Sequence, residues 1–212
     1  ALQCPTLLQN GFGEHRIEGI GDKHIPWVHN VRNTDMVVAV DDEDCMRVLR
    51  LLNEPAGLKA LAGAGLTQDE LAGLSLLGIS GIANAIAAIK LAKHYELGSR
   101  DVVFTVFTDS VEMYRSRLSE LTEARGKYSA MQAGCDLDRR LHGAAADNLR
   151  ELSFRDRKAL HNLKYFTWVE QQGKSSEDLR RLWDPEFWEE TFAQAPASDK
   201  LIEQFNRRTG LA

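Results

Sequence analysis

The chain has 212 residues, with 26 Lys plus Arg against 31 Asp plus Glu and a formal net charge of −5, a balance that excludes a strongly basic nucleic-acid arm. With 43% hydrophobic and 27% charged residues it has the make-up of an ordinary globular protein, no apolar run approaches the ~18 residues of a membrane span, and no signal-peptide order opens the chain, so the reading is cytoplasmic. Cys4, Cys45 and Cys135 are too few and too widely spaced for a disulfide framework or a CxxC metal site, and read as reduced, mostly buried thiols.

In chain order, Met36-Val37-Val38-Ala39-Val40, flanked by Asp35 and Asp41, has the length and β-branching of a strand buried on both faces. Asp41 or Asp42 then caps a helix in which Cys45, Val48, Leu49 and Leu52 repeat on one face and which Pro55 ends. Cys45 is therefore core rather than nucleophile. Thr67-Gln68-Asp69-Glu70 has the spacing of a capping box. Gly78-Ile79-Ser80-Gly81 opens a longer helix with Ile82, Ile86 and Ile89 as its stripe, ending near Gly98. Val102-Val103-Phe104-Thr105-Val106-Phe107 predicts a second buried strand, running into Thr108-Asp109-Ser110 and then a helix over 111–121.

From about Arg125 β-branched residues thin out and helical patterns carry the rest. One helix is predicted over about 155–172, closed by Gly173; Ser175 with Asp178 caps another, and Asp184-Pro185 starts a third. The alternation of strands and helices in the first part implies an α/β domain with a mostly parallel sheet over 1–124, followed by an all-helical extension over 125–212. The aromatics Tyr165, Phe166, Trp168, Trp183, Phe187, Trp188 and Phe192 would dock this extension or bury a partner. The paired arginines read as solvated faces.

Chemistry concentrates in three stretches. Gly19-Ile20-Gly21 lets backbone approach a ligand closely. Gly78-Ile79-Ser80 places a hydroxyl at a helix N-terminus, and Thr108-Asp109-Ser110 ends a strand. On local evidence the first is a common turn and the second an ordinary cap. In this order, however, with Ile17-Glu18 before the glycine pair and Glu112 and Tyr114 after the last stretch, they resemble the second half of the fold type II pyridoxal-phosphate enzymes, the cysteine synthase and cystathionine β-synthase group. That family shows Ile-Gln-Gly-Ile-Gly, Gly-Ile-Ser-Ser-Gly and Pro-Asp-Ser. The resemblance covers about residues 1–118, and the helical extension has no counterpart in it.

The resemblance implies that Ser80 meets the pyridine nitrogen of pyridoxal 5'-phosphate, that Gly19 lines the substrate side, that Gly78 opens the helix beneath, and that Asp109 and Ser110 form the wall beside the ring, with Asp109 structural rather than an acid or base. A neutral hydroxyl makes the ring a weaker electron sink than a carboxylate would, which suits β-elimination and β-replacement on an amino acid. Glu18 stands for the family's Gln, Gly81-Ile82 for its Ser-Gly, Thr108 for its Pro, and the stretch from Pro55 to Gly78 is longer than usual.

The family's Ser-x-Lys segment and Gly-Thr-Gly-Gly-Thr phosphate loop are absent, and this chemistry needs both a Schiff-base lysine and a phosphate cradle. Neither Lys23 nor the other eight lysines match the family's lysine segment. No catalytic residue is therefore assigned here. The expectation is a C-terminal half, with Ala1 as a cut edge, that depends on a missing N-terminal half or a complementary chain; the resemblance also implies a homodimer. The alternative is a non-catalytic binding or regulatory module that keeps the scaffold and binds a partner through its helical tail. A metal site from His15, Asp22, His24 and His29 is not expected, because Pro26 interrupts the pair and zinc needs three or four convergent ligands; these histidines read as structural or surface residues, of which His24 could line the active-site mouth. Gly-Ile-Ser-Gly also lacks the Gly-x-Ser-x-Gly pattern of a serine hydrolase.

Overall fold

The computed structural model describes residues 1–211. The chain forms two compact units, one from residues 1–23 and 36–151, the other from 24–35 and 152 onward. The compositional change near residue 125 thus falls inside the first unit, and a twelve-residue excursion from the early sequence joins the second.

In the first unit a short helix, α1 (Thr6–Gln9), precedes β1 (Met36–Val38). β1 pairs antiparallel with β2 (Leu149–Glu151), in the register Met36 to Glu151, Val37 to Arg150 and Val38 to Leu149. The strand expected over 36–40 is therefore shorter and half-buried, with burial beginning at Ala39 and Val40. This antiparallel pair is the one sheet among the described residues.

α2 (Asp42–Asn53) follows, capped by the Asp41 carboxylate, which accepts from the Glu43 N–H at 2.7 Å. Its apolar face buries Cys45, Met46, Val48, Leu49, Leu51 and Leu52. α3 (Pro55–Gly63) begins at once, with proline at the position where a missing N–H costs nothing. The elbow needs Gly57, since a Cβ there would lie 2.0 Å from the Leu51 carbonyl. α4 (Gln68–Gly73) carries the predicted capping box, in which Thr67 accepts from the Glu70 N–H and Glu70 from the Thr67 N–H. α5 (Ile79–His94) presses Ile79, Ile82, Ala83 and Ile86 into the same core as α2. Burying each large aliphatic side chain contributes about 1.5–3 kcal/mol, so these two helices form the platform on which α5's first turn is held.

Residues 102–107 correct the sequence reading: they form no strand, and Val102 and Phe104 are 91% and 89% exposed. A strand buried on both faces needs a pairing neighbour along each edge, and no described segment pairs with this one. Its fixed points are Asn84, which donates to the Val106 carbonyl at 2.8 Å, and Phe107, packed against Gly81. A 3-10 turn (Val111–Tyr114) leads into α6 (Arg115–Arg125) and then α7 (Ala130–Asp136), so the helix expected from 111 starts in a tighter winding. Arg140, expected on a solvated face, pairs with Asp44.

The second unit is built on α8 (Phe154–Lys164), with Ser153 and Asp156 as its capping box. The helix continues as a π-helical turn (Tyr165–Gln171) before Gly173, whose φ is +70°. Within that wider turn Thr167 meets His24 at 2.7 Å and the Trp168 indole donates to the Ile25 carbonyl at 2.8 Å, so both side chains reach the 24–35 excursion. α9 (Ser176–Arg181) and α10 (Pro185–Ala193) start at the predicted caps Ser175 and Asp184, and α11 (Ala195–Thr209) ends the described chain.

Candidate functional site

The first turn of α5 draws together all three stretches that stood out in the sequence. Gly78 precedes the helix in extended conformation, and its N–H donates to the Asp109 carbonyl at 3.0 Å. A Cβ at Gly78 would lie 2.0 Å from the Asp109 Oδ1, so only glycine lets the carboxylate pack against this backbone. Ser80, one residue into the helix and 7% exposed, has its hydroxyl 3.0 Å from that of Thr108. Gly19 has φ +82°, and a Cβ there would lie 3.8 Å from the Ser80 Cβ, so the glycine pair brings bare backbone to the serine. Gly21, at φ +112°, leaves room that the His15 ring occupies.

Asp109 is fixed by Tyr114, whose phenol donates to its Oδ2. That bond, then burial, pushes the Tyr114 hydroxyl up to about 12, so it remains a donor through the neutral range. The other oxygen, Oδ1, is buried without a hydrogen-bond partner among the described residues. Ser110, half-buried, starts the 3-10 turn that carries Tyr114 back over Asp109. Glu18, in the position of the family's glutamine, accepts from Arg117 on α6 at 2.6 Å, which ties the glycine-pair segment to that helix.

Tyr114, Thr108, Asn84 and Arg117 are contributors that motif matching left aside or gave no role. Only Tyr114 had a local signal, its spacing of five from Asp109 within a turn; the others act across 22, 28 and 99 residues of sequence. Lys90 is buried, but ten residues along α5 puts it about 15 Å from Ser80, where it donates to the Ala39 carbonyl and Asp147. Cys45 donates to the Ile79 carbonyl at 3.4 Å, and burial, with Asp42 and Asp44, pushes its thiol up to about 12; it is an inert core thiol. Cys4 is buried too, whereas Cys135 is exposed. No cluster of three or more His, Cys, Asp or Glu residues suited to a metal occurs among the described residues.

No family model and no solved structure matches the chain. Over 115 residues, 54% of the chain, it is 32% identical to cysteine synthase B of Campylobacter jejuni subsp. jejuni. The match takes in 31% of that protein, so the chain spans about a third of the relative's length. Over about half of its own length, then, this sequence is cysteine-synthase-like.

Proposed function

We propose that this chain forms part of a pyridoxal-phosphate-dependent enzyme of cysteine synthase type, acting on a small amino acid by β-elimination or β-replacement, and that it supplies the later part of a fold type II architecture. The observation that carries this reading is the convergence of Gly19, Gly78, Ser80, Thr108 and Asp109, from three separate stretches of sequence, on one helix start.

The residues fit the group in three respects. Ser80 offers a nearly buried neutral hydroxyl with capacity for a bond beyond the one to Thr108. Gly19 presents backbone without a side chain at a left-handed φ, as close approach of a flat ring requires. Asp109, held by Tyr114 and packed on Gly78, positions the wall without acting as acid or base. Pyridoxal phosphate, when bound, supplies the electron sink for chemistry at the amino acid's α- and β-carbons. Ser80 would hold the ring nitrogen by a hydrogen bond, and Gly19 would orient the substrate by shape.

The Schiff-base lysine and phosphate cradle would come from the portion of such an enzyme that this chain does not span. The exposed run 102–107 supports this: a segment of strand-forming residues left 91% exposed at Val102 has the character of an unpaired strand that a fuller sheet would complete. A homodimer is part of the same proposal. The second reading, a binding or regulatory module, draws on the absence of a lysine from the Ser80 cluster. The two are separated by mixing the chain with the missing portion and pyridoxal phosphate. The enzyme reading expects a stable complex with bound-cofactor absorbance in the visible range; a complex without absorbance supports the module, and neither complex nor absorbance overturns the enzyme reading.

A further inference from the structure

We infer that Thr108 is a positioning residue that holds the Ser80 hydroxyl as a hydrogen-bond donor to the ring nitrogen of the cofactor; this rests on the functional reading above and deepens it. The two hydroxyls lie 3.0 Å apart, Ser80 is 7% exposed, and Thr108 stands where the resembling family has a proline, which has no hydroxyl to offer.

A serine hydroxyl has one proton and two lone pairs, so the pair has two possible orders. If Ser80 donates to Thr108, it turns only lone pairs outward and can hold the ring nitrogen only when that nitrogen is protonated. If Thr108 donates to Ser80, the serine proton is free for an unprotonated nitrogen. The helix decides between them. Ser80 sits in the first turn of the sixteen-residue α5, where the unpaired N–H groups create a positive field that disfavours a pyridinium. Asp109, packed against this turn, accepts from Tyr114 on one oxygen and lays the other against the Gly78 backbone, and no hydrogen bond joins it to Ser80 among the described residues. A neutral ring nitrogen needs a donor, so the order is Thr108 to Ser80 to nitrogen. Each link polarises the next, giving the nitrogen a stronger hydrogen bond than a lone serine could while leaving it unprotonated. Thr108 never touches the ring; its effect passes through Ser80.

The test uses the complete protein, this chain together with the segment that completes it, loaded with pyridoxal phosphate labelled with nitrogen-15 in the ring. In T108V the ring-nitrogen resonance should move toward the value of a weaker hydrogen bond, and cofactor affinity should fall about 3- to 10-fold, the range set by losing support for one hydrogen bond. T108S should restore both, and T108A should behave as T108V, which guards against a packing fault peculiar to valine. Thermal melting of each variant verifies that it is folded. An unchanged resonance in both T108V and T108A, with cofactor bound, overturns the role of Thr108 alone. If the wild-type protein binds no pyridoxal phosphate, the functional reading fails and this role falls with it.

Discussion

Arg50 in the first unit and Lys164 in the second are both buried cations, 2% and 0% exposed, yet their surroundings differ in kind. Arg50 forms a two-pronged pair with Glu54, donates to the Gly126 carbonyl at 2.8 Å and lies 4.9 Å over the Tyr128 ring. Lys164 meets two backbone carbonyls, of Trp27 at 2.8 Å and His29 at 2.7 Å, and burial pushes its ammonium down to about 8. A neutral amine has two N–H donors, matching those two acceptors. Its neighbour His161, 2% exposed, is pushed down to about 4, by burial first and then by Lys164 and Lys158, although its contact with the Leu179 carbonyl opposes the shift. The first unit buries its charge with a counter-charge, whereas the second buries bases and favours their neutral forms. Stability of the second unit should therefore follow pH through groups that have no equivalent beside Arg50.

The largest effect should come from breaking the paired charge. R50A leaves the half-buried Glu54 carboxylate without its guanidinium, and losing one partner of such a pair costs about 3–5 kcal/mol. Urea titration followed by circular dichroism should show it. Replacing both partners, with Arg50→Met and Glu54→Leu, should recover most of the loss, because an apolar pair of similar volume is often neutral or better. If the double variant is as unstable as R50A, the ion pair is not what Glu54 contributes.

The bases of the second unit come next. Folded His161 gains its proton only near pH 4, whereas the unfolded ring does so near its ordinary 6.5. The unfolded chain then binds more protons between those values, so stability is lost as pH falls through that window, by about 2–3 kcal/mol at pH 4.5. H161Q, whose amide N–H keeps a donor for the Leu179 carbonyl, should remove this part of the acid sensitivity. Lys164 acts with the same sign at higher pH: folded near 8, unfolded near 10.5, so stability should rise by about 2 kcal/mol from pH 7.5 to 9.5. In K164M that rise should vanish. All four tryptophans, at positions 27, 168, 183 and 188, lie in the second unit, which makes their fluorescence the readout. A pH dependence that persists unchanged in both variants would show that other groups govern it.

What the sequence disclosed follows the reach of each signal. The caps at Asp41, Thr67, Ser175 and Asp184 and the stripe of α2 depend on residues within one or two turns, and they stand where the pattern put them; in α5 Ile82 and Ile86 are buried as expected, while Ile89 is only half-buried and the helix ends at His94 rather than near Gly98. Residues 102–107 look like a strand because Val and Phe favour one, but a strand exists only when another backbone pairs with it, and local composition does not encode that partner. Lys164 falls inside the helix predicted over about 155–172, with no mark in the sequence of burial; that burial depends on the Trp27 and His29 carbonyls, 137 and 135 residues away. In the candidate site the motifs singled out Gly19, Ser80 and Asp109, while the partner that orients Ser80 stayed invisible because Thr108 is 28 residues distant and departs from the pattern being matched.

The smallest expected effect separates the units by how far a local change spreads. Each unit has a capping box on a short helix, Thr67 with Glu70 on α4 and Ser153 with Asp156 on α8. Removing such a hydroxyl costs a helix about 1 kcal/mol. α4 has no fully buried residue and packs on the core through the half-buried Leu71, so T67A lets that helix fray while opening little of the core; amide exchange should accelerate over residues 68–73 while the urea midpoint hardly moves. α8 buries Leu160, His161 and Lys164, so its fraying would expose both bases together with a core leucine. S153A should therefore lower the midpoint seen by tryptophan fluorescence by the full cost of the cap.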